Sequence, residues 1–418
     1  MRIQEFGPDA EPEAIRALTP DARDVEDDVR AILDEVRRDG DAALVRLTER
    51  FDGVRLAPDD LRVPAGDREA ALDTVPADVL DGMRTAIANV SSVARSQLRE
   101  AVAVELPEGH QVAVTEHAVR RAGVYVPAGR AAYPSSLIMA AATARAAGVE
   151  DVVACAAPDA DGKVNPLILA AAELCDVIEV YRVGGAQAIA ALAYGTATVE
   201  QVQVVAGPGN PWVQEAKRQV VGRVGIDGIA GPSELAIVAD GTDAIEPLAL
   251  DLLAQAEHGP DSLVVFVSSN GRLLAAVRHA VEELSAARPS VTDAPLALVR
   301  ARNVMEAVAF ADQLAPEHLQ LVGPEPEAMA RMVQSAGCLF IGAAAATAFG
   351  DYVAGSNHIL PTGGAATFQS AVSPATFRRR MARVSFPDEA ASRLAAKGAP
   401  LARAEGFPVH AESMERRA

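Results

Sequence analysis

Apolar positions recur at steps of three and four early in the chain and as short unbroken runs later, and the change divides the sequence. Val25, Val29, Ile32, Leu33 and Val36 trace one face of an amphipathic helix that Gly40 ends, and a second helix runs to Phe51, Asp52 and Gly53. From Gly123 the apolar runs 123–126, 151–155, 177–181 and 202–205 alternate with Ala-rich helical stretches near 136–147, 166–174 and 186–193. A second set follows at 235–238, 262–267, 296–299, 319–322 and 338–341. Runs of this length, bounded by turn residues, are the signature of strands buried on both faces. Strand and helix in alternation predict parallel sheets, because each crossover helix covers a sheet face. The expected class is therefore α/β, with two parallel-sheet domains. From Ser373 onward the chain is charged, rich in Arg and punctuated by Pro, so it is expected to be a tail element that docks on another surface.

Composition narrows the setting. At 418 residues the chain exceeds the size at which one core keeps growing, and two or more domains follow. Half of it is apolar but only 4% is aromatic, so the interior must be built from Ala, Val, Leu and Ile. No apolar stretch reaches the roughly eighteen residues a membrane helix needs, and the start, Met1 to Glu5, lacks a basic segment followed by an apolar one. A soluble, unexported, cytoplasmic protein with no membrane partner is expected. The three cysteines, Cys155, Cys175 and Cys338, without CxxC spacing, fit a reducing compartment and no disulfide framework. A formal net charge of −19 excludes nucleic acid as a partner, since phosphate binding needs clustered Lys and Arg. The chain has only three lysines, Lys163, Lys217 and Lys397, and its acidic surface reads either as an adaptation to salt or as composition and solubility alone.

Candidate chemistry concentrates in short motifs. Gln255 and His258, three apart on a helical stretch, project to one side and can reach one ion. That makes half a metal site, and further donors occur in Glu317-His318, Asp351-Tyr352, Asn357-His358 and Glu405 to His410. Glycine turns at Pro127-Ala128-Gly129, Gly184-Gly185 and Gly207 to Asn210 each follow a strand and precede a helix, where backbone amides can approach a pyrophosphate. Singly each is more often an ordinary tight turn, and none fits the dinucleotide fingerprint with its acidic residue some twenty positions on.

Taken together these motifs, with Tyr133 to Met139, Gly184 to Gln187, Ala206 to Asn210, Ala230 to Glu234, Gln255 to Gly259, Pro316 to Leu319, Gly355 to Gly364 and Glu405 to His410, resemble the histidinol dehydrogenase family over nearly the whole chain. The resemblance implies an NAD-dependent oxidoreductase that oxidises L-histidinol by way of L-histidinal to L-histidine, the last step of histidine biosynthesis. It implies Glu317 as the group that activates water and His318 as the base. Tyr125, Gln187 and Asn210 match the family's NAD contacts. Gln255, His258, Asp351 and His410 match its metal ligands, whose N and O donors suit one Zn²⁺ per subunit, with Mn²⁺ or Co²⁺ as substitutes. Ser233, His358 and Glu405 match further substrate contacts, beside the metal ligands and His318. The implied assembly is a homodimer with shared active sites, in which the tail carrying His410 crosses to the partner.

Departures are local. Phe368 to Phe377 is less typical of the family, and Ala128 stands where a glycine is often found. A paralogous dehydrogenase of another amino alcohol or diol is the nearest rival, since such enzymes share the Glu-His pair and metal set. A metal-dependent hydrolase that uses no nicotinamide is a second, and the glycine turns and Asn210 weigh against it. The resemblance implies two Rossmann-like domains of the incomplete, aldehyde-dehydrogenase-like kind: 1–19 an N-terminal element, 20–122 joined to 234–370 as the catalytic and metal domain, 123–233 inserted for NAD, and 371–418 as the dimer-swapped tail.

Overall fold

The structure is a computed structural model that describes residues 1–19, 24–127 and 132–417. Two parallel sheets organise it. One has five strands in the order Glu179–Arg182, Asp151–Ala156, Arg121–Val126, Val204–Ala206, Gly225–Ile226. The other has six, in the order Arg2–Phe6, Pro295–Arg300, Leu263–Ser268, Glu234–Ala239, His318–Val322, Cys338–Ile341. Every pairing within the two sheets is parallel. A third, antiparallel sheet joins Arg378–Ser385, Gln111–Ala118 and Val102–Glu105.

In both parallel sheets the first strand of the βαβ series lies inside the sheet, and the chain winds outward first to one side and then to the other. Strand order reverses between Arg121–Val126 and Val204–Ala206 in one, and between Glu234–Ala239 and His318–Val322 in the other. Crevices form at such reversals because the flanking helices leave on opposite faces.

Local sequence explains the elements. Arg121–Val126, Glu234–Ala239 and Leu263–Ser268 are buried at every position, as strands covered on both faces must be. The helices Pro134–Ala146 and Gly185–Tyr194 are buried over most of their length, and their small Ala side chains let them lie close to the sheet. Gly123 marks that closeness, since a Cβ there would meet Leu192 Cδ2 at 2.8 Å. The helix Glu26–Asp39 buries Val29, Ile32, Leu33 and Val36, and the chain turns at Gly40 with φ 57.

Three features depart from the sequence pattern. Arg2–Phe6 is an edge strand of the six-stranded sheet, paired with Pro295–Arg300, so the N-terminal element is part of a domain. Residues 26–96 pack on the five-stranded sheet: Val29, Ile32 and Leu44 share a core with Tyr125 and Ile189, while Leu80, Met83 and Val90 share one with Val124 and Leu137. The sequence-based division joined these helices to residues 234–370 instead, and burial decides otherwise. The tail forms the strand Arg378–Ser385 on Gln111–Ala118 before its helices Asp388–Ala404 and Pro408–Glu415.

Candidate active site

Ser233 and Glu234 enter the strand Glu234–Ala239 at its amino end, and Glu317 and His318 enter the neighbouring strand His318–Val322 at its amino end, with His318 in register with Leu235. The parallel pairing therefore lays the two dipeptides side by side at the reversal point. The helix Ile245–Glu257, which follows Glu234–Ala239, brings Gln255 back to the same edge, with His258 capping its end. Asp351 arrives on the short helix Thr347–Tyr352 and His358 on the loop after it.

These side chains form one connected group. Ser233 Oγ donates to Glu317 Oε2 at 2.5 Å, and Gln255 Nε2 donates to Ser233 Oγ at 2.8 Å. The Glu234 backbone N–H also donates to Glu317 Oε2, at 2.8 Å. His318 Nδ1 lies 3.3 Å from the Glu234 carbonyl, a contact that requires the proton on Nδ1 and leaves Nε2 with a free lone pair. That Nε2 is 3.9 Å from Asp351 Oδ1, and His258 Nε2 is 3.9 Å from Asp351 Oδ2, so the carboxylate sits between two imidazoles. His358 Nδ1 donates to the Asp351 backbone carbonyl at 2.8 Å, and its Nε2, 3.3 Å from Ser136 Oγ, is free to accept.

Burial sets the protonation of the pair. Glu317 is buried and its carboxyl is pushed up to about 8, against the two hydrogen bonds from Ser233 and the Glu234 amide that favour the anion. His318 is lowered by the same desolvation, opposed by the nearby Asp351 carboxylate, and so is held neutral. His358 is likewise lowered by burial. A carboxyl that titrates near working pH, beside a neutral imidazole, is an arrangement for moving protons.

The residues expected on the nucleotide side lie at the other sheet. Tyr125 is at the carboxyl end of Arg121–Val126, and its hydroxyl accepts from Gly185 N at 3.2 Å. Asn210 caps the helix Pro211–Val220, its side-chain oxygen accepting from Val213 N at 3.2 Å. Gln187 is buried in the first turn of Gly185–Tyr194. Gly207, φ 132, has no room for a side chain, because a Cβ would lie 2.1 Å from the Tyr125 carbonyl oxygen. Tyr125, the Gly184 turn and the Gly207 to Asn210 turn thus gather at the carboxyl edge of the five-stranded sheet, where its strand order reverses. The Pro127 to Gly129 turn and Ala128 fall partly outside the described residues.

Two residues expected at the site are elsewhere in this chain. Glu405 follows the helix Asp388–Ala404 and His410 lies in Pro408–Glu415, both exposed. Neither has a hydrogen bond or ion pair to the Gln255–Asp351 group among the described residues, and His410 packs its ring edge against Phe407. No cluster of three His, Cys, Asp or Glu side chains fit to hold a metal occurs among the described residues of the single chain. What one chain assembles is an imidazole, a carboxylate and, one turn back on the same helix, an amide.

Sequence reasoning assigned no role to Arg16, Glu234, Lys217 or Asp227. Lys217, 1% exposed, is paired with Asp227 and donates to the Gly207 carbonyl at 3.1 Å, while Gly207 N donates to Asp227 Oδ2 at 2.8 Å. The signal available for Lys217 was its rarity, one of three lysines. Arg16 offered none.

Two parallel α/β sheets, one presenting glycine turns at its carboxyl edge and the other a buried carboxyl and imidazole, define an α/β enzyme of acid–base type. The sequence matches the histidinol dehydrogenase family over residues 16–418. The chain belongs to that family of oxidoreductases. It is 43% identical over 408 residues to the histidinol dehydrogenase of Parasynechococcus marenigrum, covering 96% of this chain and 93% of that one. The histidinol dehydrogenase of Bradyrhizobium diazoefficiens is 42% identical, with 94% and 92% covered. The crystal structure of histidinol dehydrogenase from Elizabethkingia anophelis superposes with a TM-score of 0.93 at 30% identity, covering 100% of this chain and 98% of that one.

Proposed function

We propose that the protein oxidises L-histidinol through L-histidinal to L-histidine in the cytoplasm, in two successive hydride transfers to NAD at one site. The observation that carries this reading is the linked group Gln255–Ser233–Glu317–His318–Asp351–His258 at a sheet edge. In each oxidation His318 takes the hydroxyl proton on its free Nε2 as the substrate carbon gives up hydride. Between the two, Glu317 in its ionised form, populated as pH approaches about 8, takes a proton from a water so that the aldehyde gains the hydroxyl it needs before hydride can leave again. Ser233 and the Glu234 amide hold the carboxylate oriented for that transfer. When bound, NAD supplies the hydride acceptor, and Tyr125, Gln187 and Asn210 with the Gly184 and Gly207 turns are the residues that would hold it.

The donors Gln255, His258 and Asp351 fit a divalent cation of the Zn²⁺, Mn²⁺ or Co²⁺ kind, because they supply one amide, one imidazole and one carboxylate, the last two 3.9 Å apart. Gln255 Oε1 accepts no hydrogen bond from the described residues, which leaves it free for such a role. The cation, one per subunit, would orient the substrate and polarise it. No fourth donor joins them among the described residues of one chain, and His410 of the partner subunit would supply it in a homodimer with shared sites. The tail supports that assembly: Leu401, Phe407 and Val409 are 61%, 53% and 72% exposed, a cost for apolar side chains that a second copy would relieve. Glu405, on the same tail, is suited by charge to a substrate ammonium.

The protein loaded with zinc is expected to form two reduced nicotinamides for each L-histidinol when the alcohol is limiting, with L-histidine as the product. A single reduced nicotinamide and release of the aldehyde would contradict the two-step reading. Turnover of a diol with no turnover of L-histidinol would instead favour a paralogous substrate.

A further inference from the structure

Glu234 touches the catalytic pair with its backbone and something else with its side chain. Its N–H donates to Glu317 Oε2 at 2.8 Å and its carbonyl lies 3.3 Å from His318 Nδ1, so a shift of this one residue moves both partners. Its carboxylate is buried, 5% exposed. Oε1 accepts from Arg16 Nη1 at 2.6 Å and from Gly363 N at 3.0 Å. Oε2 is enclosed with no hydrogen-bond partner among the described residues. A carboxylate at that depth persists because a cation lies against it.

Arg16 comes from the N-terminal helix Pro12–Arg16, far from the site in sequence. Its second amino group donates to the carbonyls of Leu314 and Ala315. Ala315 has φ 47, a left-handed conformation that costs energy for any residue with a Cβ and has to be held by its surroundings. The chain runs directly from there into Pro316, Glu317 and His318. One guanidinium therefore grips both strands' entrances, the residue that hydrogen-bonds the pair and the turn that delivers it.

We propose that Arg16 and Glu234 are positioning residues for the oxidation, an ion pair that sets where Glu317 and His318 stand relative to each other. The inference rests on the roles given above to Glu317 and His318. The side chains of Arg16 and Glu234 contact each other and backbone groups, so their loss acts on the rate more than on substrate affinity. Displacing reacting groups by an ångström or so is enough to slow chemistry severely. Lysine in place of Arg16 keeps the charge but not the fork that reaches a carboxylate and two carbonyls together.

The test is steady-state kinetics and melting of Arg16→Lys, Arg16→Met, Glu234→Gln and the double variant R16M/E234Q, each as the metal-loaded full-length protein. R16M is expected to lower kcat about tenfold or more, with KM for L-histidinol and NAD changed less than about threefold, and R16K to recover part of the loss. The double variant removes the uncompensated buried carboxylate, so it should melt above R16M while its kcat stays low. Recovery of kcat together with the melting temperature would reduce the pair to a structural support and overturn the proposal, as would wild-type kcat in R16M. Where R16M does not fold, the same kcat against KM split is read from R16K and E234Q. Glu317→Gln run alongside separates the two levels: full activity there removes the reading of the catalytic pair and this inference with it, whereas loss there with full activity in R16M/E234Q removes this inference alone.

Discussion

Glu317→Gln is expected to lower turnover of L-histidinol by about two to four orders of magnitude, the range typical of losing a positioned general acid or base, while making the metal-free protein more stable in alkali. Both effects come from the same burial. The amide keeps the shape and can still accept from Ser233 Oγ and the Glu234 amide, which donate to Glu317 Oε2 at 2.5 and 2.8 Å, so the fold tolerates the exchange. It cannot take a proton from water, so hydration of the aldehyde stalls. On stability the sign follows from the raised carboxyl, which moves from 4.5 to about 8 on folding. Between those values the folded chain still binds a proton that the unfolded chain has released, and stability therefore falls as pH rises through that window. The penalty is absent below about 4.5, complete above about 8, and on the order of a few kcal/mol. Glutamine carries no such penalty. Denaturant melts of the two proteins at acidic, neutral and alkaline pH should show a gap in favour of E317Q that opens across the window and then stays constant. Parallel pH dependence in the two would mean that Glu317 is not held protonated by its surroundings.

His410→Ala should abolish activity as thoroughly, although His410 is exposed and makes no contact with the Glu317 group of its own chain. The loss should be reversible in mixture. If each site takes Glu317 from one subunit and His410 from the other, a heterodimer of H410A and E317Q chains has one complete site and one doubly damaged site. Random exchange makes half the dimers heterodimers, so mixing equal amounts of the two inactive proteins should restore roughly a quarter of the wild-type rate. Activity measured after co-refolding against mixing ratio, with the maximum at equal amounts, checks this. No recovery at any ratio would place His410 in its own subunit's site or outside the site altogether.

How much of this was legible in the sequence differs by element. Strands buried on both faces, such as Asp151–Ala156 and Leu263–Ser268, announce themselves as apolar runs because nothing polar fits there. The run at 177–181 predicts the strand two residues early, since Val177 is buried in the turn that precedes Glu179–Arg182. The antiparallel sheet leaves little trace: Val102, Val104 and Val114 are exposed, and Arg378–Ser385 opens on three consecutive arginines and is mostly exposed in the single chain. Arg2–Phe6, half exposed at a sheet edge, is similarly quiet. Which sheet a helix covers is also not written in its periodicity, because an apolar stripe records that a face is buried and not against what. Residues 26–96 show this.

At the site, spacing within a motif was readable and convergence between motifs was not. Gln255 and His258 share a face because they are three apart on one helix, whatever the fold. That Ser233 should bond Glu317, eighty-four residues on, follows only from the parallel pairing of Glu234–Ala239 with His318–Val322. The glycine turns of the five-stranded sheet lie at carboxyl ends of strands, where the sequence-based expectation looks for them. Glu317 and His318 stand at the amino ends of the other sheet, where that expectation does not look. Arg16 and Glu234 escape for a related reason, since a lone arginine in a five-residue helix carries no pattern.

Anomalous scattering at the zinc edge from crystals of the zinc-loaded protein tests the central claim most directly. The account predicts one peak per subunit, within coordination distance of Gln255, His258 and Asp351 of one chain and of His410 of the partner subunit, beside Glu317 and His318. A peak bound by other residues, or one completed by His410 of the same chain, would contradict it.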